Sequence, residues 1–120
     1  MNKSSDEKIK IMFKTNEYFE GKVKSVAYEN ETGTYTIGVM ADGDYEFGTS
    51  AKEEMTVVNG TLKALLPGSD TWEVFPAGST FHVAANVKFQ VRAVGDTSYL
   101  CRYYINGKWE MVNGKLLNVL

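Results

Sequence analysis

The sequence predicts an all-β fold, a single antiparallel jelly-roll β-barrel. Three observations carry that expectation. Short runs rich in Val, Thr, Tyr and Phe recur with period-two alternation. Gly, Pro, Asn and Asp signals separate them at short, regular intervals. No segment shows the 3.6-residue period of an amphipathic helix. At 120 residues the chain has the size of one domain and a core that needs no staples.

Residues 1–12 are polar and charged and read as a flexible N-terminal extension, a frayed tail or one helical turn. Residues 13–104 form the predicted domain. Glu20-Gly21 breaks the chain before Lys22 to Tyr28, where Val23 and Ser25 share one strand face and Lys22, Lys24 and Val26 the other. Glu29 to Gly33 is a turn, and Thr34 to Met40 is a β-branched strand. Asp42-Gly43 and Asn59-Gly60 read as hairpin turns, because the tight two-residue turn needs positive φ at both central positions. The first leads into Tyr45, Phe47 and Thr49 on one face; Met55 to Val58 and Thr61 to Leu66 flank the second. Pro67-Gly68 ends that strand. Trp72 to Phe75, Ser79 to Val83, Val87 to Val94 and Ser98 to Tyr104 follow as further strands. Residues 105–120 read as a C-terminal extension. Its two Asn-Gly-Lys signals, at Asn106 and Asn113, predict one more hairpin around Trp109 to Val112.

Composition excludes several classes. The formal net charge is −2 and no Lys/Arg block appears, so nucleic acid is not an expected partner. Apolar runs fall well short of the ~18 residues of a membrane span, and the N-terminus has neither a secretory apolar region nor a cleavage site. A soluble, cytoplasmic protein is expected. Cys101 is the only cysteine, and its apolar-aromatic surroundings favour a buried inert thiol over a nucleophile.

The stretch Tyr45 to Leu66 carries the strongest motif. Glu53 lies seven residues before Gly60, the E-(x)6-G spacing that ends the first cupin motif, G-(x)5-H-x-H-(x)3,4-E-(x)6-G. Pro76-Ala77-Gly78 followed by Phe81-His82 is similar to part of the second. Counted from Glu53 with a three-residue spacer, the two histidine positions of the first motif hold Phe47 and Thr49. The histidine position of the second holds Phe81. The expected fold is therefore a single-domain cupin that keeps its carboxylate and has lost its metal ligands. His82, the only histidine, should face away from Phe81. One His and one Cys far apart make a poor zinc site, so no metal cofactor is expected.

NEYFEGKVKS (Asn16 to Ser25), GVM (Gly38 to Met40), YEFGT (Tyr45 to Thr49), EEMTVVNGTL (Glu53 to Leu62), AGSTFHV, KFQV and SYLCRY (Ser98 to Tyr103) carry a closer likeness. Across Phe13 to Tyr103 the chain resembles the pyrimidine/purine nucleoside phosphorylases, small bacterial cupins. The resemblance implies phosphorolysis of purine and pyrimidine nucleosides to free base and ribose 1-phosphate, with nucleosides and inorganic phosphate as partners. Small cupins often pair by sheet edges, so a homodimer is expected.

Phosphorolysis needs a phosphate site, polar groups for the ribose, and stabilisation of an oxocarbenium-like sugar and a departing base. Glu53 is the catalytic candidate. It shares its strand face with Met55 and Val57, whereas Glu54 points the other way. The competing reading is a corner carboxylate that caps a turn or pairs with Lys52 in solvent. Tyr45, Phe47, Thr49, Met55, Phe81 and Tyr99 are candidates for contacting substrate, and core filling is the competing role of the rings. Arg92 and Arg102 are the phosphate candidates, because a guanidinium fork suits phosphate oxygens. Arg92 alternates with Val91 and Ala93, and Arg102 stands opposite Tyr99 in parity, so a surface role competes for each; Lys22 and Lys24 share that ambiguity. Two other functions stay open. One is a non-catalytic cupin that binds a small metabolite. The other is a metal-dependent cupin enzyme, which Phe47, Thr49 and Phe81 disfavour.

Overall fold

A computed structural model describes residues 12–105 in full, together with the backbones of residues 109–112 and 115–118. The described chain is all β. Its strands are β1 (Lys14–Tyr18), β2 (Val23–Asn30), β3 (Gly33–Met40), β4 (Gly43–Gly48), β5 (Lys52–Asn59), β6 (Thr61–Leu65), β7 (Glu73–Pro76), β8 (Thr80–Val83), β9 (Lys88–Ala93), β10 (Thr97–Tyr104), β11 (Trp109–Val112) and β12 (Lys115–Asn118). The first ten form two antiparallel sheets, one ordered β1-β2-β3-β10-β5-β8 and the other β4-β9-β6-β7. β11 pairs antiparallel with β12, with Trp109 opposite Asn118. The N-terminal extension expected over residues 1–12 lies outside the described residues except for Met12.

The two-sheet arrangement is cupin-like, but it corrects the expected barrel. Neither sheet closes: β1 and β8 end one, β4 and β7 the other, with no ladder between first and last strands. Alternation leads to this error naturally, since a barrel and a pair of facing sheets both bury every second side chain. Val23 and Ser25 on β2, Met55 and Val57 on β5, Phe89 and Val91 on β9, and Tyr99 and Cys101 on β10 all point between the sheets. Complete burial of Leu62 or Val91 contributes about 2 kcal/mol each.

The two expected hairpins are also corrected. Asp42-Gly43 connects β3 to β4 and Asn59-Gly60 connects β5 to β6, and each pair of strands lies in different sheets. Both are corners where the chain crosses the core. Gly43 and Gly60 do have positive φ, +144° and +94°, but that property fixes a bend and not the side to which the next strand turns. A Cβ at Gly60 would lie 3.0 Å from the Asp96 carbonyl oxygen, so the corner requires glycine. Facing corners are clipped together. The Asp42 carboxylate accepts the Gly95 N–H at 2.6 Å, and the Asp96 carboxylate accepts the Asp42 N–H at 3.0 Å.

The hairpin that shapes the cavity joins β1 to β2 through Phe19–Gly21. Phe19, Glu20 and Gly21 all have left-handed backbones, with φ of 53°, 56° and 87°. For the first two this costs on the order of 1 kcal/mol each. The turn is held by Lys22, whose N–H donates to the Phe19 carbonyl at 3.2 Å and whose carbonyl accepts the Ala41 N–H at 2.8 Å.

Candidate active site

A cavity of about 390 Å³ opens between the two sheets. The larger sheet contributes a mainly polar wall: Ser25 from β2, Glu53 and Met55 from β5, and Tyr99, Cys101 and Tyr103 from β10. The smaller sheet contributes Phe47 from β4 and Phe89 from β9, with the exposed Glu46 at the edge. Tyr18, Phe19 and Ser50, all exposed, sit at the open end.

Alternation on β5 sends Glu53 into this space and Glu54 out of it. The Cys101 thiol donates to Glu53 Oε1 at 3.5 Å. Burial raises the Glu53 carboxyl above its ordinary value, and the thiol hydrogen bond opposes that shift. None of the ion pairs among the described residues includes Glu53. Burial, and then the Glu53 charge, push the Cys101 thiol upward, which keeps it protonated. The Tyr103 hydroxyl lies 3.0 Å from that of Thr36; burial raises it most, against the pull of the Thr36 hydrogen bond. Burial pushes Tyr99 up to about 12, partly offset by a hydrogen bond from Ser25. The polar wall is thus made of neutral donors around one half-buried carboxyl.

Tyr99 holds its place because its neighbour has no side chain. Gly38 on β3 pairs with it, and a Cβ at Gly38 would overlap the Tyr99 ring.

Of the residues singled out from sequence, Glu53, Phe47, Met55 and Tyr99 meet at this cavity. Tyr45 is buried beside it, with its hydroxyl donating to the Ala41 carbonyl at 2.6 Å. Thr49 closes a corner. Its hydroxyl donates to the Ala84 carbonyl at 2.6 Å and accepts the Val87 N–H at 3.1 Å. Phe81 stacks on Phe75 with ring centroids 4.4 Å apart and does not line the cavity.

Both arginines face outward. Arg92 holds Asp44 through two hydrogen bonds, at 2.7 and 3.2 Å, and lies over the Trp72 ring. Arg102 donates to the Thr32 carbonyl at 2.9 Å and packs on Tyr104. His82 faces away from Phe81, as alternation requires, and meets Glu54 at 3.1 Å. Sequence reasoning missed Tyr18, Phe19, Ser25 and Tyr103. Parity with Tyr99 and Cys101 was available to find Tyr103; nothing in local pattern marks Phe19.

The residues do not fit a cupin metal. Phe47, Thr49 and Phe81 offer no ligand at the motif positions, and the described residues contain no cluster of three or more His, Cys, Asp or Glu side chains suited to a metal.

Fold and site together define a cupin-like protein whose inter-sheet cavity carries one half-buried carboxyl, Glu53, between phenols and phenyl rings, with the exposed Glu46 at its edge. A family model described as pyrimidine/purine nucleoside phosphorylase matches residues 13–103. A protein of Pseudomonas entomophila named pyrimidine/purine nucleoside phosphorylase is 59% identical over 92 residues, covering 77% of this chain and 98% of the relative. The chain belongs to that family. A crystal structure of a Vibrio parahaemolyticus protein of unknown function is 39% identical, with a TM-score of 0.75, and the match covers 78% of this chain and 99% of that one. An RmlC-like cupin from Shewanella frigidimarina shares the fold alone, at 16% identity and a TM-score of 0.61, over 86% of this chain and 93% of its own.

Proposed function

We infer that the protein is a metal-independent nucleoside phosphorylase that converts purine and pyrimidine nucleosides and inorganic phosphate to free base and ribose 1-phosphate. The observation that carries this reading is the 59% identity to a phosphorylase over nearly the relative's whole length. The cavity's chemistry agrees with it. As the C1′–N bond breaks, the sugar gains positive charge and the base negative charge. Among the described residues Glu53 has no cationic partner, so its carboxylate is free to favour the sugar's charge most strongly in the transition state. Tyr99, Tyr103 and Ser25 supply hydroxyls for ribose and phosphate oxygens. With no described Lys or Arg lining the cavity, phosphate is met there by neutral donors. In this reading Phe47 and Met55 contact the nucleoside, and Tyr45, Thr49 and Phe81 support the walls.

Residues 13–104 are the catalytic unit in this proposal, and the family match over 13–103 supports it. A homodimer is proposed as well. The open edges of both sheets support it, because unpaired edges favour association, and light scattering at micromolar concentration reads it. Among the described residues no helix is long and apolar enough to cross a membrane; the proposed setting is the cytoplasm, with small-molecule partners. The activity is tested by release of free base from uridine and from adenosine, with and without phosphate. Release that needs phosphate supports the reading. Binding of nucleoside with no release would favour a non-catalytic metabolite-binding cupin.

A further inference from the structure

We propose that Phe19 is the platform on which the nucleobase stacks, and that stacking there, without reading of base edges, lets one cavity accept purines and pyrimidines. The proposal rests on the phosphorolysis reading for the identity of the ligand. Three observations carry it.

The first is position. Phe19 lines the open end of the cavity and is still 42% exposed. Its ring is braced from behind by Tyr45, with centroids 5.0 Å apart, and edge-on by Phe47 at 5.5 Å. A ring that served only to fill the core would be covered, as Phe89 is.

The second is backbone. Phe19 and Glu20 adopt consecutive left-handed conformations that side-chain-bearing residues avoid. A glycine at position 19 would relieve the first, yet the position holds a phenylalanine whose ring this unusual backbone places at the cavity's open end. Strain of this kind, kept at a cavity mouth, is what a positioned binding group looks like.

The third is the chemistry of the lining. Bidentate reading of a base edge, which tells one base from another most sharply, takes the paired groups of Asn and Gln or the Arg fork. None of these is among the described residues lining the cavity. Most polar groups gather on the opposite wall around Glu53, where they suit ribose and phosphate; elsewhere the lining offers only the single-point groups of Tyr18, Glu46 and Ser50. The base is left with rings, and every base presents a π-face to a ring whatever its edge pattern.

The test measures binding and turnover separately on the full chain. Calorimetry with uridine and with adenosine, without phosphate, is run on the wild type and on Phe19→Ala, Phe19→Leu and Phe19→Tyr. Phosphate-dependent base release is measured on the same four proteins. Thermal melts identify any variant that fails to fold. The expected result is that Phe19→Ala and Phe19→Leu bind both nucleosides at least about tenfold more weakly, with matching rises in nucleoside KM and no change in phosphate KM. Phe19→Tyr keeps the affinity. Leucine supplies apolar bulk without a flat face, so a purely structural role would be satisfied by it. Wild-type affinity in Phe19→Leu or Phe19→Ala overturns the platform, as does loss of one nucleoside class alone or a wild type that binds neither nucleoside. A wild type that binds both nucleosides through Phe19 but releases no base overturns the phosphorolysis reading and leaves the platform standing.

Discussion

The two faces of the β5–β10 ladder carry similar side chains in opposite circumstances. On the inner face Glu53 stands among Cys101, Tyr99 and Tyr103, half-buried, with a thiol as its hydrogen-bond partner. On the outer face, one residue along, Glu54 meets His82 at 3.1 Å with 31% of its side chain in solvent, and Arg102 leans on Tyr104. The outer carboxylate has a partner and water; the inner one has neither in full. A charge that is already neutralised gains little from a substrate. One held among neutral donors gains most when a cationic sugar forms beside it. The comparison teaches that the neighbours of these adjacent glutamates, and not their residue type, set their surroundings apart, and the proposed role of Glu53 rests on that difference.

The largest effect expected from breaking this contrast is at Glu53. Glu53→Gln keeps shape and hydrogen bonding but removes the charge, so kcat/KM for uridine at saturating phosphate should fall about 10²-fold, roughly 2.7 kcal/mol of transition-state stabilisation. The melting temperature should hold or rise. Near-native turnover would remove Glu53 from the chemistry.

Tyr103→Phe comes next. It deletes the hydroxyl that meets buried Thr36, on a residue that lines the cavity. A fall in kcat/KM of about tenfold is expected, with a stability loss of about 1 kcal/mol by denaturant titration. A stability loss with unchanged kinetics would confine Tyr103 to the fold.

A pH series sharpens the comparison further. Burial raises the Glu53 carboxyl above its ordinary 4.5, so in the window just above that value the folded state holds more protons than the unfolded one. Stability contributed by this group therefore falls as pH rises through the window. Wild type should lose stability there relative to Glu53→Gln; parallel curves would mean that Glu53 is no harder to ionise folded than unfolded. The smallest effect belongs to Glu54→Gln. It removes an exposed pair with His82 that is worth less than about 1 kcal/mol, and kcat/KM should stay within about twofold of wild type. A large loss there would put the working carboxylate on the outer face.

These contrasts were legible in the sequence because strand parity is a local property. Alternation separated Glu53 from Glu54, Phe81 from His82 and Arg92 from Val91 before any pairing was known. Pairing is not local, and there the reading failed. Asn59-Gly60 marks a bend whether the chain folds back on itself or crosses to the facing sheet. Closure of a barrel depends on first and last strands, which no motif records. β1 left no trace of alternation, since four of its five residues are exposed, and Phe19 follows from β1. Thr49 was placed on the correct face, but its hydroxyl serves the loop at Ala84 and Val87, and that demand is set by residues far along the chain.

Gly38 constrains how this cavity can be remodelled. The Tyr99 ring occupies the space a Cβ at position 38 would need, so the two positions can change only as a pair: bulk gained on β3 must be surrendered on β10, along with the phenol. A library that diversifies β3 to admit bulkier nucleosides will return glycine at position 38 unless position 99 is randomised in the same clones. Met40, on the same strand and also lining the cavity, is the position where a single exchange can widen the space.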